Sequence, residues 1–80
     1  FIYKPGEGTD TIFDYSSDDM LKILKTNGKE GGSFDEATFS DGTLTLAISG
    51  GGSVILDGVN AYDDININDR TYTIRDNTLK

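Results

Sequence analysis

Gly6, Gly8 and Asp10 have the residue types and the spacing best suited to chemistry in this chain, and that chemistry is the binding of a hard divalent cation. Calcium takes about six to eight oxygen ligands at 2.3–2.6 Å. A short turn supplies several of them only if its carbonyls converge. Glycine at 6 and 8 opens backbone conformations closed to residues with a Cβ. The carbonyls of positions 5 to 9 can then turn inward, and Asp10 adds a carboxylate. Thr11 leaves the turn, and Ile12 drops into the core and anchors it. One such turn is half a site. The other oxygens must come from a neighbouring turn, a flanking acid or water. Asp14, Asp18 and Asp19 follow closely and are candidates for that acid; otherwise they form a solvated polar loop with Ser16 and Ser17. The turn has an alternative reading too, an ordinary glycine-rich β-turn with a solvated Asp10.

Strands must position this turn. Ten glycines are scattered through the chain, and apolar residues rarely recur at helical spacing. Phe1-Ile-Tyr3 precedes the turn, and Thr11, Phe13 and Tyr15 alternate with Ile12 and Asp14 after it. Met20 to Leu24 is a short apolar run closed by Asn27-Gly28. Leu44, Leu46 and Ile48 share one face of a period-two stretch. With Gly50-Gly-Gly52 and Ser53-Val-Ile-Leu56 this reads as a glycine-turned hairpin. Ile65-Asn-Ile67 and Thr71-Tyr-Thr-Ile74 flank Asn68-Asp-Arg70 as a second hairpin, whose turn would be better served by glycine at 69. Ser33 to Ala37 reads as helix or loop, and Asp76 to Lys80 as a fraying end.

Pro5 to Phe13 fits a nonapeptide of the form G-G-x-G-x-D-x-U-x, with proline in the first glycine slot. On Gly6, Gly8, Asp10 and Ile12, with the flanks Phe1-Ile-Tyr3, Thr11-Ile-Phe-Asp-Tyr15 and Asp19, the chain resembles the RTX family, secreted proteins with hemolysin-type calcium-binding repeats. The motif covers nine residues and the extended match about twenty, and it looks like a last repeat running into the region beyond the array. The resemblance implies a calcium site lined by Gly6, Gly8 and Asp10. The carbonyls of Pro5, Glu7 and Thr9 are implied co-ligands, and Asp19 the flanking acid. It implies upstream repeats of the same parent chain as partner, the end of a parallel β-roll as fold, and a bacterial protein that stays unfolded during type I secretion and folds outside the cell or on its surface. Pro5 departs from the pattern and restricts the turn.

Other constellations have less to stand on. There is no histidine and no cysteine, so the usual general base and the thiol nucleophile are missing. The chain reads as non-enzymatic. Asp63 and Asp64 are paired acids of the kind that act on glycosides, but adjacent strand residues point to opposite faces. Asp64 to Asp69 resembles the opening of an EF-hand loop. It fails at Asp69, where the loop needs glycine, and at Arg75, where it needs a bidentate glutamate. An isopeptide crosslink of Lys22 with Asn66 or Asn68 is conceivable; exposed polar residues are the ordinary reading. Tyr3, Tyr15, Tyr62 and Tyr72 admit a carbohydrate- or protein-binding domain with no calcium requirement, although such rings more often pack in a core or at an edge.

Bulk properties narrow the field. The formal net charge of −7 over 80 residues repels nucleic acid and anionic membrane. No apolar run approaches the roughly 20 residues of a membrane span. Domains below about 80 residues commonly need a staple. Without cysteine, a bound cation is the staple left within the chain. Phe1 is a strand-like opening residue, and no signal peptide precedes it, so the chain reads as a piece of a longer protein.

The expectation is a single all-β domain over 1–80. Residues 1–15 form the terminal repeat turn, the end of a parallel β-roll, and 16–80 a β-rich capping region, a mostly antiparallel sheet or sandwich. Strands are expected near 1–4, 11–15, 20–25, 43–48, 53–57, 64–68 and 71–75. The expected core is Ile2, Ile12, Leu21, Ile23, Phe39, Leu44, Leu46, Ile48, Val54, Leu56, Ile65, Ile67, Tyr72 and Ile74.

Overall fold

The computed structural model describes residues 1–16 and 18–80, and among them every regular element is a strand. The strands are β1 (Ile2–Tyr3), β2 (Thr9–Phe13), β3 (Met20–Ile23), β4 (Phe34–Ser40), β5 (Thr43–Ile48), β6 (Ser53–Asp57), β7 (Asp64–Ile67), β8 (Arg70–Arg75) and β9 (Thr78–Leu79). They form two mixed sheets, one in the order β1-β3-β7-β8-β9 and the other in the order β2-β6-β5-β4. Neither closes into a barrel.

The first three strands follow a different path from the rest. The chain runs along β1 in one sheet, turns through residues 4–8 into β2 in the other, and returns through 14–19 to β3. There β3 lies parallel to β1, with Ile2 opposite Lys22 and Tyr3 opposite Ile23. Beyond it, β3 pairs with β7 and β2 with β6, both parallel. All later neighbours, β4/β5, β5/β6, β7/β8 and β8/β9, are antiparallel.

Turn chemistry explains the antiparallel half. Three connections have two residues: Asp41-Gly42, Asn68-Asp69 and Asp76-Asn77. All six residues have positive φ, as the type I′ hairpin turn demands. Asn and Asp tolerate that region because their short polar side chains bond locally. The glycine-turned hairpin of β5 and β6 forms as its alternation predicts, Leu44 opposite Leu56 and Leu46 opposite Val54.

Two expectations about secondary structure fail. Ser33 to Ala37 is not helix or loop: β4 begins at Phe34 and pairs with β5, with a bulge between Phe34 and Glu36. Its acids sit on the exposed side of an edge strand, which hides its strand character in the sequence. Nor does 76–80 fray. The Asp76-Asn77 turn carries the chain into β9, which pairs with β8, and Thr78 reaches across to the Ala37 carbonyl at 2.8 Å.

The inner faces of both sheets meet in one hydrophobic cluster, with Ile23, Leu44, Leu46, Val54, Leu56 and Ile65 sealed from solvent. Eleven of the fourteen expected core residues are buried; Phe39 and Tyr72 are half-buried against the cluster, and Ile2 is 70% exposed. In the two-residue β1, Tyr3 takes the inward position, so alternation turns Ile2 outward. Tyr3, Tyr15, Ala37 and Val59 join the core in addition.

Candidate functional site

Pro5 to Gly8 lie in the turn between the two sheets at one end of β2. Gly6 and Gly8 hold φ of 89° and 82°, the left-handed region expected of them. The Lys4 N–H donates to the Glu7 carboxylate at 3.1 Å and tightens the turn. A second glycine turn, Gly50-Gly-Gly52, lies directly against it. The Gly6 N–H donates to the Gly51 carbonyl at 3.1 Å, and the Ser53 N–H to the Gly8 carbonyl at 3.0 Å. Contact this close requires glycine at 52, where a Cβ would collide with the Tyr3 hydroxyl and the Gly8 carbonyl.

Backbone carbonyls from two neighbouring turns therefore do converge, but on a protein group. The Tyr3 hydroxyl donates to the Gly8 carbonyl at 2.7 Å and lies 3.5 Å from that of Gly51. Burial, followed by the charges of Asp10 and Glu7, pushes the Tyr3 phenol above its ordinary pKa, against an opposing pull from the amides of Glu7 and Ser53. The phenol is neutral over the physiological range.

Asp10 does not sit in the turn itself. It is on β2, on the same face as Ile12, and is exposed at the rim of a hollow of about 230 Å³. Tyr3, Ile12, Leu21 and Val54 line that hollow, which opens between the free edges of β1 and β2. The carbonyls of Pro5 and Glu7 accept no hydrogen bond from the described residues. Thr9 belongs to the ladder with β6, opposite Ser53.

Asp19 is not brought to this turn. It lies in the 14–19 connection at the far end of β2, a five-residue strand of roughly 15 Å. There its carboxylate accepts from the Ser16 N–H at 3.0 Å, and its own N–H donates to the Ser16 carbonyl at 2.9 Å. Asp14, with φ 58°, and exposed Asp18 lie in the same connection; Ser17 is outside the described residues. No group of three acids converges as a cation holder among the described residues. The donors that fit calcium are thus the free carbonyls of Pro5 and Glu7 with Asp10 nearby, a partial set that needs oxygens from a further turn.

The remaining candidates separate. Asp63 accepts from the Asn60 N–H at 2.8 Å while Asp64 accepts from the Thr73 hydroxyl at 3.0 Å, so the two acids serve different neighbours. Lys22 pairs with Glu30 at 2.7 Å. Asn68 accepts from the Ile23 N–H and donates to the Gly32 carbonyl, which fixes the β7–β8 turn to β3. Tyr62 is exposed. Tyr72 packs edge-on against Phe34, with ring centres 5.5 Å apart, beside a cleft that Arg70 also lines.

Sequence reasoning missed the hydroxyl partners of Tyr3 and Tyr15. Their signal was positional: Tyr3 immediately precedes the 4–8 connection between the sheets, and Tyr15 lies at the start of the 14–19 one. Comparison with protein-family models, with curated proteins and with solved structures finds no match for this chain.

Proposed function

We propose that this chain is a non-enzymatic, calcium-dependent folding and capping module at the C-terminal end of an RTX repeat array in an exported bacterial protein. One observation carries the reading. The path β1–turn–β2–turn–β3 makes a single coil between two sheets with a parallel step of twenty residues, Ile2 to Lys22. Antiparallel hairpins continue the sheets on one side of that coil, and both its strands have free edges on the other. Such a coil is the unit a parallel β-roll repeats, and hairpins that cannot repeat it end the roll. A preceding coil would set its own turn beside Pro5–Gly8 and bring the oxygens the partial set needs. Extracellular calcium suits weak sites of about 10⁻⁴–10⁻³ M, so the module folds after export.

The test is calorimetry on the 80-residue chain extended by one preceding coil of nonapeptide repeats. Calcium is expected to raise its melting temperature, and Asp10→Ala to remove most of that rise. A melt indifferent to calcium in both forms would sink the proposal. A second reading, a carbohydrate- or protein-binding domain without calcium, draws on exposed Tyr62 and on the Phe34–Tyr72 cleft. Glycan binding that persists in chelator would favour it.

A further inference from the structure

Two buried tyrosines hold equivalent places in the first coil. Tyr3 ends β1 just before the 4–8 connection, and Tyr15 follows β2 just before the rest of the 14–19 connection. Each spans its own connection and reaches into the antiparallel half. The Tyr3 hydroxyl donates to the Gly8 carbonyl within its turn and sits beside the Gly51 carbonyl of the β5–β6 turn. The Tyr15 hydroxyl donates to the Asp19 carbonyl at 2.9 Å and accepts the Asn66 N–H of β7 at 3.1 Å. One tyrosine thus ties the coil to each sheet's next strands, at opposite ends of β2. A carbonyl turned partly away from water needs partners for its lone pairs. The Gly8 carbonyl takes the Ser53 amide as one and the Tyr3 phenol, carried by the chain itself, as the other.

We infer that these two hydroxyls stand in for turn-bound cations at the junction of the coil with the hairpins, so that the junction forms without metal and calcium acts only at the open β1/β2 side. The clause about calcium rests on the capping reading; the metal-free junction does not. The glycine turns supply a further reason. Amides already bind across the junction, Gly6 to the Gly51 carbonyl and Ser53 to that of Gly8, and with the Tyr3 hydroxyl added the Gly8 carbonyl accepts from two protein donors.

The experiment uses the 80-residue chain with Tyr3→Phe, Tyr15→Phe and the control Tyr72→Phe, whose hydroxyl has no hydrogen-bond partner among the described residues. Each is melted in millimolar calcium and in chelator, and amide hydrogen exchange is followed. Tyr3→Phe and Tyr15→Phe are each expected to lower the melting temperature by about 4–8 °C, equally in both media. Tyr72→Phe should leave it unchanged. Exchange should quicken at Gly6 and Ser53 in Tyr3→Phe, and at Asn66 in Tyr15→Phe. In the unsubstituted chain those amides should be equally protected in calcium and chelator, a readout independent of whether a variant folds. A loss that calcium restores, protection that requires calcium, or tyrosine variants as harmless as the control would overturn the inference. Because no preceding coil is present in these samples, failure of the capping reading would leave these results standing, and the reverse.

Discussion

The two ends of the pair of sheets, β4 with β9 and β1 with β2, meet the same problem in opposite ways. Both are places where each sheet ends and backbone groups lack a strand partner, a known route to unwanted pairing. On the β4/β9 side the sheets are clipped together. The Phe39 N–H donates to the Asn77 carbonyl at 2.8 Å, the Thr78 hydroxyl to that of Ala37, and a bulge at Asp35 bends the edge away. On the β1/β2 side, among the described residues, the 4–8 turn and the Tyr3 hydroxyl span the sheets. Phe1, Ile2 and Phe13 are more than half exposed, and the inter-sheet hollow opens there. Asp10, an acid on the inward face of an edge strand, is the feature that discourages indiscriminate pairing. One side is clipped shut; on the other, β1 and β2 keep unpaired edges.

This contrast can be broken most forcefully in the core. Leu44→Ala, at a fully buried side chain of β5, is expected to cost about 2–5 kcal/mol because the surrounding strands are clamped and the cavity cannot collapse. Ile12→Ala lines the open hollow and should cost clearly less, since solvent already reaches its site. Urea unfolding of both variants checks this; equal losses would mean that the open side is as tightly packed as the closed one.

Alkali sharpens the contrast next. Burial raises the Tyr3 and Tyr15 phenols first of all; nearby acids add to it and backbone amides oppose it. A folded pKa above the unfolded one contributes stability fully present below about pH 10 and lost as pH rises toward the folded value. Stability should therefore fall above pH 10, with exchange rising first in β1 and the Pro5–Gly8 turn. In Tyr3→Phe that early alkaline loosening should be missing, as read by tyrosine absorbance and amide exchange across the titration.

The smallest effects belong to the surface ion pairs. Lys22 holds the Glu30 carboxyl below its usual range by a hydrogen bond and by charge, and Lys80 does the same for Asp76. The sign favours the fold above the carboxylate pKa and fades as pH falls. Both acids are fully solvated, so Lys22→Ala and Lys80→Ala should leave the urea midpoint within error. A measurable loss in Lys80→Ala alone would assign the closure of the β4/β9 side partly to charge.

Much of the antiparallel half was legible in the sequence. Strict alternation in Thr43–Ile48 and the glycine run after it admit one register that buries Leu44, Leu46 and Ile48. Asn68-Asp69 announced its turn by residue type. The rest was hidden for physical reasons. A two-residue strand has no readable phase, so Ile2 and Tyr3 could not be ordered in or out; the hydroxyl contacts of Tyr3 decide it. β4 carries Asp35 and Glu36 and becomes a strand only by pairing with β5. Of the candidate site, the glycine turn and its positive φ were legible. The distance of Asp19 was not, since the length and direction of β2 separate residues that are close in the chain.

The sequence by itself determined the all-β character, the glycine turns at Gly6–Gly8 and Gly50–Gly52 and the Asn68-Asp69 turn. Those follow from local rules: glycine's backbone freedom and period-two burial. Tertiary structure alone decided which carbonyls of the Pro5–Gly8 turn remain free. Gly50–Gly52 and Tyr3 come from distant or separately oriented segments, and only when the two sheets close do they fill the space behind Gly8. The carbonyls of Pro5 and Glu7 are left without a hydrogen bond from the described residues.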